Sequence, residues 1–330
     1  MRRLIYLILI LLWAAGAQAA AEAPPLYYLI AGGEEHYEVE RAVALTRLAV
    51  QKGVMWQVLA RENQIEKPYR LKAGMVLKID STHIVPHELG HGLVINLPEL
   101  KLYHFHQGAY QRRYSLAVGR PSWPTPTGDY YILNKTKNPT WTVPASIKAA
   151  MAARGRQMVD SVPPGPGNPL GAYWLGTTAP GVGIHATNSP WSIGHYVSHG
   201  CIRMLPEEIA DLFPQVEVGT PVKIIYQPLK LGMTYSGRIY LEAHPNIYGK
   251  KLDPQAWLET MAKSHELQNR IDWEKALQVL KAREGVAREI TLEVKKMDLW
   301  STAAEETSSL SPRRLSFRAS LHEKKSKITW

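Results

Sequence analysis

The run Val197-Ser198-His199-Gly200-Cys201-Ile202-Arg203-Met204 holds the only cysteine of the chain, and His185 stands sixteen positions earlier in Gly183-Ile184-His185-Ala186-Thr187. A thiol attacks only as thiolate, so a histidine brought near it by the fold predicts a nucleophile and its base. Gly200 would let the main chain pass close to a substrate, and the N–H groups of Gly200 and Cys201 would face a developing oxyanion. A lone cysteine is more often a small core residue, but the polar residues around this one make a dry pocket unfavourable.

The N-terminus of the chain has the pattern of an export signal. Arg2 and Arg3 precede twelve mainly apolar residues, and Ala17-Gln18-Ala19 supplies the small residues that a signal peptidase reads. We therefore expect a cleaved signal peptide over residues 1–19, with an uncleaved anchor as the alternative. No later segment of the sequence is long and apolar enough to span a bilayer, and a single cysteine cannot close an internal disulfide.

The charge of the chain is positive. The formal net charge of +10 becomes +8 when Arg2 and Arg3 are removed with the signal. A basic exported protein suits an anionic setting such as cell-wall polymers, acidic peptides or lipid headgroups, so we expect no nucleic-acid partner. Because lysine and arginine are spread along the sequence, the charge alone selects no partner.

Residues 37–80 form the first candidate domain. Tyr37-Glu38-Val39 alternates like a strand, two runs at helical spacing follow, and Gly74 marks a turn before a second strand, which predicts the order strand, helix, helix, strand. These residues resemble a LysM module, which implies binding to the N-acetylglucosamine chains of peptidoglycan or chitin. Ala42-Val43-Ala44 departs from the family's Gly-Asp-Thr beside the sugar site. A domain that only spaces or docks the next one is the alternative.

The rest of the chain divides into three parts. Residues 92–226 read mainly as strands, beginning with a hairpin around Pro98-Glu99, and two helices are predicted at 145–153 and 206–213. Residues 227–300 are predicted to form a C-terminal extension with helices that begin near Asp253 and Asp272. From residue 301 to 330 the composition predicts a flexible basic tail.

A competing motif, His87-Glu88-Leu89-Gly90-His91, has the spacing of a zinc protease, in which two histidines bind the metal and the glutamate is a general base. Such a site needs a stable helix and a third ligand. Gly90 and Gly92 weaken a helix here, and the sequence alternates like a strand from Leu93. We therefore expect no metal site, and the zinc protease stays a remote alternative.

The segment around the cysteine is similar to the catalytic signature of the L,D-transpeptidases, the family named after ErfK, YbiS and YkuD. The matching residues are His185, Thr187, Asn188, Ser192-Ile193-Gly194 and the run from Ser198 to Arg203, with upstream matches at Trp123-Pro124-Thr125-Pro126-Thr127-Gly128 and Asn168-Pro169-Leu170-Gly171. The resemblance covers essentially all of residues 92–226. It implies an α+β fold with a β-rich, mixed-sheet catalytic domain, a transferase acting on peptidoglycan stem peptides, and no cofactor or metal.

The resemblance also implies a role for each matching residue. Cys201 would be the nucleophile and His185 its base, oriented by the carbonyl of Ala186. Ala186 replaces the family's usual glycine, and if that glycine has a positive φ the alanine would carry strain of ~1 kcal/mol. Supporting and oxyanion-hole roles would fall to Ser198, His199 and Gly200. Arg203 would orient the site or bind a substrate carboxylate, with a structural ion pair as the equal alternative.

The implied reaction is an acyl transfer. The Cys201 thiolate would attack the carbonyl of the third residue of a tetrapeptide stem, release D-alanine and leave a thioester for an amine to resolve. The acceptor is open: another stem gives a cross-link, the lysine of an outer-membrane lipoprotein gives an anchor, and water makes the enzyme an L,D-carboxypeptidase. A catalytically weak peptidoglycan-binding or anchoring protein is the alternative. The expected location is the periplasm of a Gram-negative bacterium, in association with the wall.

Overall fold

A computed structural model describes residues 25–86, 89–155 and 157–293. The segment before residue 86 contains two short helices, α1 (Leu45–Lys52) and α2 (Trp56–Glu62). Its six strands are β1 (Ile30–Ala31), β2 (Glu34–Glu38), β3 (Val43–Ala44), β4 (Arg70–Leu71), β5 (Val76–Asp80) and β6 (His83–Ile84). The antiparallel pair β2–β5 encloses both helices in sequence, and α1 ends where Gly53 adopts a left-handed φ of 71°.

This N-terminal segment has a small apolar core of its own, to which Leu45, Leu59 and Leu77 contribute. Its order of elements is strand, helix, helix, strand, with the short pair β3–β4 added between them. The identity of the segment as a LysM-like module stays a prediction. The expected signal peptide and basic tail lie outside the described residues.

The central feature of the fold is a nine-stranded mixed sheet. Its strands are β7 (Gly92–Asn96), β8 (Lys101–His106), β9 (Ala109–Gly119), β10 (Gly128–Lys137), β13 (Tyr173–Thr177), β14 (Gly183–His185), β15 (Tyr196–Ser198), β16 (Ile202–Met204) and β17 (Pro221–Ile225), with the small pair β11 (Trp141–Thr142) and β12 (Ser161–Val162) outside it. Two helices accompany the sheet, α3 (Ala145–Ala152) and α4 (Pro206–Leu212). The predicted α+β, β-rich mixed-sheet fold is confirmed.

The strand order β15-β9-β16-β14-β13-β10-β17-β7-β8 decides where the site lies. β14 and β16 are neighbours and run parallel, although sixteen residues lie between the end of β14 at His185 and the start of β16 at Ile202. Ile184 faces Ile202 in this register, and both side chains are completely buried in the main core. The sheet thus brings the histidine segment and the cysteine segment side by side.

The C-terminal extension contains a second sheet that the sequence analysis did not predict. Strands β18 (Leu229–Met233), β19 (Ile239–Ala243) and β20 (Arg288–Glu289) pair antiparallel, and helices α5 (Pro254–Ser264) and α6 (Trp273–Ala282) pack with them into a separate apolar core. Asp253 and Asp272 begin the helices as N-caps, since their carboxylates accept main-chain N–H groups. None of the helices in the described ranges has the length and apolar character needed to cross a membrane.

A buried charge cluster joins the extension to the main sheet. Lys230 of β18 is completely buried, and its Nζ lies 2.7 Å from Glu99 Oε1 and 3.2 Å from Glu242 Oε2. His244 Nε2 bonds the other oxygen of Glu242 at 2.7 Å. Removing one partner of such a cluster leaves an unpaired buried charge and costs roughly 3–5 kcal/mol. The extension is therefore an integral part of the folded unit.

Candidate active site

The register of β14 and β16 places the predicted catalytic side chains on one face of the sheet. His185 faces Arg203 across the pair, directly after Ile184 faces Ile202. Side chains alternate along a strand. Because Ile184 and Ile202 point into the core, His185, Arg203 and the preceding Cys201 point to the opposite face.

Cys201 lies directly before β16 and is half-buried. Its Sγ donates a hydrogen bond to the main-chain oxygen of Gly181 at 3.5 Å. Burial raises the pKa of the thiol, while the Gly183 main chain and the charge of Arg203 oppose that rise. The thiol is therefore protonated at rest, and its proton points to a carbonyl rather than to an imidazole.

His185 is buried and has a defined tautomer. Its Nδ1 lies 2.5 Å from the oxygen of Ala186, and because a carbonyl only accepts, Nδ1 carries the proton and Nε2 carries the lone pair. Burial, with a smaller contribution from Arg203, lowers the pKa of His185 to about 4. The ring is therefore neutral at neutral pH and able to take a proton at Nε2.

Trp174 is a residue of the site that the sequence analysis missed. It faces His185 across β13 and β14, and the two rings stack with centroids 5.9 Å apart and an interplanar angle of 26°. Its Nε1 donates to Asn134 Oδ1 at 3.0 Å, which fixes the indole. Gly183 provides the space, because a Cβ there would lie 2.2 Å from the indole ring. Only the register of the strands reveals this contact.

Ala186 holds the imidazole without backbone strain. It has no left-handed φ, so the condition for the expected strain of about 1 kcal/mol is not met. The alanine methyl is accommodated by Gly171, where an added Cβ would lie 2.5 Å from the Cβ of Ala186. Gly171 has a φ of +63°, so both its backbone conformation and its surroundings favour glycine.

Hydrogen bonds around Gly200 correct one expectation. The Gly200 N–H donates to Ser198 Oγ at 3.2 Å, and that hydroxyl in turn donates to the oxygen of Cys201 at 2.5 Å. The Gly200 N–H is therefore engaged rather than free to face an oxyanion. Thr125 Oγ1 donates to the oxygen of Gly200 at 2.8 Å, so the upstream Pro-Thr-Pro motif braces the turn that carries the cysteine.

His199 has surroundings unlike those of His185. Its side chain is exposed, and Arg120 Nη2 donates to its Nε2 at 3.1 Å. The ring packs on Trp123 with centroids 4.2 Å apart, and the Arg120 guanidinium lies 4.6 Å from the centre of the same indole. Burial and the charge of Arg120 lower the pKa of His199. Its nitrogen lone pair is thus already occupied by the arginine.

Arg203 is half-buried. Within the described part of the chain it forms neither an ion pair nor a hydrogen bond. The alternative of a structural ion pair is therefore wrong for the described residues, and the guanidinium remains available on the same face as Cys201.

Comparisons with known proteins agree with this geometry. Residues 90–224 match the sequence model of the YkuD family, an L,D-transpeptidase catalytic domain. The protein named "Probable L,D-transpeptidase YcfS" of Escherichia coli K12 is 34% identical over 215 residues, which cover 64% of this chain and 67% of YcfS. The chain belongs to the L,D-transpeptidase family.

A second relative in the L,D-transpeptidase family, "Probable L,D-transpeptidase YbiS" of the same organism, is 36% identical over 177 residues, or 52% of this chain and 57% of YbiS. Among solved structures, the catalytic domain of Enterococcus faecium L,D-transpeptidase covers 42% of this chain and 99% of that chain at 25% identity, with a TM-score of 0.32. The match spans a little more than half of the length of YbiS.

The competing zinc motif lies only partly within the described residues. His87 and Glu88 lie outside the described residues. Gly92, with a φ of +121°, begins β7 directly after His91. A zinc-binding helix would have to continue through this strand, so the described residues provide no support for the protease geometry.

Proposed function

We propose that this chain is a peptidoglycan L,D-transpeptidase in which Cys201 is the nucleophile and His185 is the base. The observation that supports this best is the buried, neutral imidazole of His185, whose Nε2 lone pair lies on the same sheet face as the Cys201 thiol. Membership in the L,D-transpeptidase family supports the same assignment.

The first half-reaction breaks an amide and forms a thioester. The proton of Cys201 Sγ passes to His185 Nε2 as the sulfur attacks the carbonyl carbon of the third stem residue. The C–N bond to D-alanine then breaks, and His185 returns the proton to the departing amine. In the second half-reaction an amine attacks the thioester, His185 accepts its proton, and the cysteine leaves as thiolate and is reprotonated.

The resting state of this pair is neutral. Burial raises the pKa of Cys201 and lowers that of His185 to about 4, so a thiolate–imidazolium pair is unfavourable before substrate binds. Proton transfer therefore accompanies attack. A developing oxyanion needs main-chain donors, and since Ser198 occupies the Gly200 N–H, we assign the leading donor role to the Cys201 N–H, with Ser198 and His199 supporting the turn.

Arg203 is proposed to bind a carboxylate of the stem peptide, because its guanidinium has the planar fork that suits carboxylates and no partner among the described residues. The N-terminal segment is proposed to bind glycan strands as a LysM-like module. We further propose export to the periplasm of a Gram-negative bacterium, with the acceptor being a second stem, a lipoprotein lysine or water.

The test is mass spectrometry of tetrapeptide muropeptides incubated with the exported chain. Loss of D-alanine with new linked species is expected, Cys201→Ala should abolish both, and a lipoprotein C-terminal peptide added to the mixture identifies the preferred acceptor. Carbapenem acylation of Cys201 gives a separate readout, since the Enterococcus faecium catalytic domain has been solved acylated by ertapenem. Binding to purified sacculi without acylation or release of D-alanine would instead identify a wall-anchoring protein.

A further inference from the structure

A cavity of about 780 Å³ lies away from the predicted catalytic pair, where the three segments of the chain meet. The N-terminal helices line one side of it, strands β8 and β9 line another, and the loop before β15 and His244 of the extension complete it. Neither Cys201 nor His185 lines this space. Its volume is within the range of ordinary ligand sites, about 300–1,000 Å³.

Two cations face this cavity without an acidic partner in the described part of the chain. Lys101 Nζ donates only to Ser115 Oγ, at 2.9 Å, and Arg113 Nη2 donates to the oxygens of Gly53 and Ser81 at 3.3 and 3.1 Å. Burial lowers the pKa of Lys101 to about 7, with a further contribution from the nearby Arg113. A negative charge brought into the cavity would stabilise both cations.

The other charged groups of the lining are already neutralised. Glu99 is paired with the completely buried Lys230, and Arg47 is paired with Glu207. Arg113, together with Lys101 when it is protonated, therefore gives the cavity a positive lining. A carboxylate can accept hydrogen bonds from a cation of each kind, so charge complementarity favours an anionic ligand.

Aromatic and apolar side chains form the remaining walls. Trp191 at the rim is 77% exposed, Trp56 lines the cavity from α2, and Val50 and Ile193 add aliphatic surface. An indole presents a flat apolar face that is wet at its edge. The flat C–H face of a pyranose ring can pack on such an indole while the sugar hydroxyls stay at its wet edge.

We propose that this cavity is a second binding site, for a saccharide that carries a carboxylate. The sugar rings pack against Trp191 and Trp56, and the carboxylate lies at Lys101 and Arg113. Neither the proposed acyl transfer nor the LysM resemblance accounts for this site, because its cations come from β8 and β9 of the catalytic sheet.

The position of the site also connects it to the catalytic segment. The lining includes Trp191 and Tyr196, which belong to the stretch of chain that leads from His185 at the end of β14 to β15 and the cysteine turn. A saccharide held there contacts the loop that separates the two predicted catalytic residues in sequence.

The experiment is isothermal titration of the full exported chain with two disaccharides of similar size. N-acetylglucosaminyl-N-acetylmuramic acid carries a lactyl carboxylate, and N,N′-diacetylchitobiose is neutral. We expect the acidic disaccharide to bind at least about tenfold more tightly. Lys101→Met should remove this preference, and Trp191→Ala should weaken both ligands. Lys281→Met and Tyr235→Ala, which change exposed residues outside both the cavity and the N-terminal segment, should leave both affinities unchanged.

Three results would overturn the proposal. Equal affinity for the two disaccharides would show that the cavity has no preference for an anionic ligand. Unchanged binding in both Lys101→Met and Trp191→Ala would show that the disaccharides bind elsewhere on the protein. Equally tight binding of a free stem tripeptide that is lost in Lys101→Met but kept in Arg203→Gln would show that the ligand of this cavity is a peptide and not a saccharide. If Lys101→Met does not fold, Trp191→Ala still tests the site. Because the disaccharides lack a stem and are not turned over, failure here is distinguishable from failure of the transferase proposal.

Discussion

His199 and His185 both precede Cys201, and they differ in exposure and in the partners of their ring nitrogens. His199 is only two residues from Cys201, but it is exposed and its Nε2 accepts from Arg120. His185 is sixteen residues away in sequence, yet it is buried, neutral, and oriented by the Ala186 carbonyl. Burial and hydrogen bonding, rather than sequence distance, make one of them suitable as a base.

The largest effect should come from removing the proposed base. His185→Gln should lower kcat/KM for D-alanine release by about 10²–10⁴-fold, the usual contribution of a general base. His199→Gln, the matched control, should change it by less than about tenfold, because its nitrogen is already engaged by Arg120. Steady-state kinetics on a tetrapeptide muropeptide measure both variants. Equal losses in the two variants would reverse the assignment.

A smaller effect should follow from disturbing the support of His185. Gly171→Ala would force a new Cβ to within 2.5 Å of the Ala186 Cβ, displace the carbonyl that orients the imidazole, and lower kcat/KM by about tenfold or more. Adding Ala186→Gly should recover much of this loss, since it removes the colliding methyl. The φ of +63° at residue 171 leaves a residual stability cost of ~1 kcal/mol.

The control for this pair is Gly219→Ala. Gly219 also has a left-handed φ, of +88°, but an added Cβ there meets nothing within 4 Å. It should lose stability in thermal unfolding without losing activity. If Ala186→Gly fails to rescue Gly171→Ala, the contact between the two residues is not what holds the base.

The pH dependence tests the neutral resting state. Because burial lowers the pKa of His185 to about 4, kcat/KM should fall on the acid side only near pH 4, as protonation removes the base.

Arg203 is a secondary cause of that lowered pKa. Arg203→Gln should therefore move this acid limb to higher pH and raise KM several-fold. An acid limb near pH 6.5 in the unmodified chain would contradict the burial of the base.

The sequence predicted strands best where apolar residues flank a clear turn. The hairpin around Pro98-Glu99 is confirmed as β7 and β8. Leu93, Ile95 and Leu102 face the main core, and Val94, Tyr103 and Phe105 belong to a second apolar cluster. In the extension, Leu229-Lys230-Leu231-Gly232-Met233 also alternates, but it was not recognised as a strand. Its lysine is completely buried between two acids, and one of them, Glu99, lies more than a hundred positions away in the sequence.

The candidate site, too, could be predicted from the sequence only in part. Family resemblance gave the roles of Cys201 and His185 as predictions, and the parallel register now puts both on one sheet face. Engagement of the Gly200 N–H depends on the orientation of the Ser198 hydroxyl, which no sequence pattern encodes. Trp174 reaches His185 only through strand register. Contacts of this kind follow from the sheet and not from spacing along the chain.

The smallest effect on activity is expected when only the surroundings of His199 change. Arg120→Gln removes a hydrogen bond to His199 Nε2 and a positive neighbour that lowers the pKa of the ring. The pKa of His199 should rise in an NMR titration, yet stay below its ordinary value because burial is the larger cause. D-alanine release should change by less than about twofold, since the proton in the proposed reaction moves through His185. A loss above about tenfold would mean that the Arg120–His199 pair acts on the substrate. Both histidines would then contribute to the reaction, His185 as the base and His199 through the substrate.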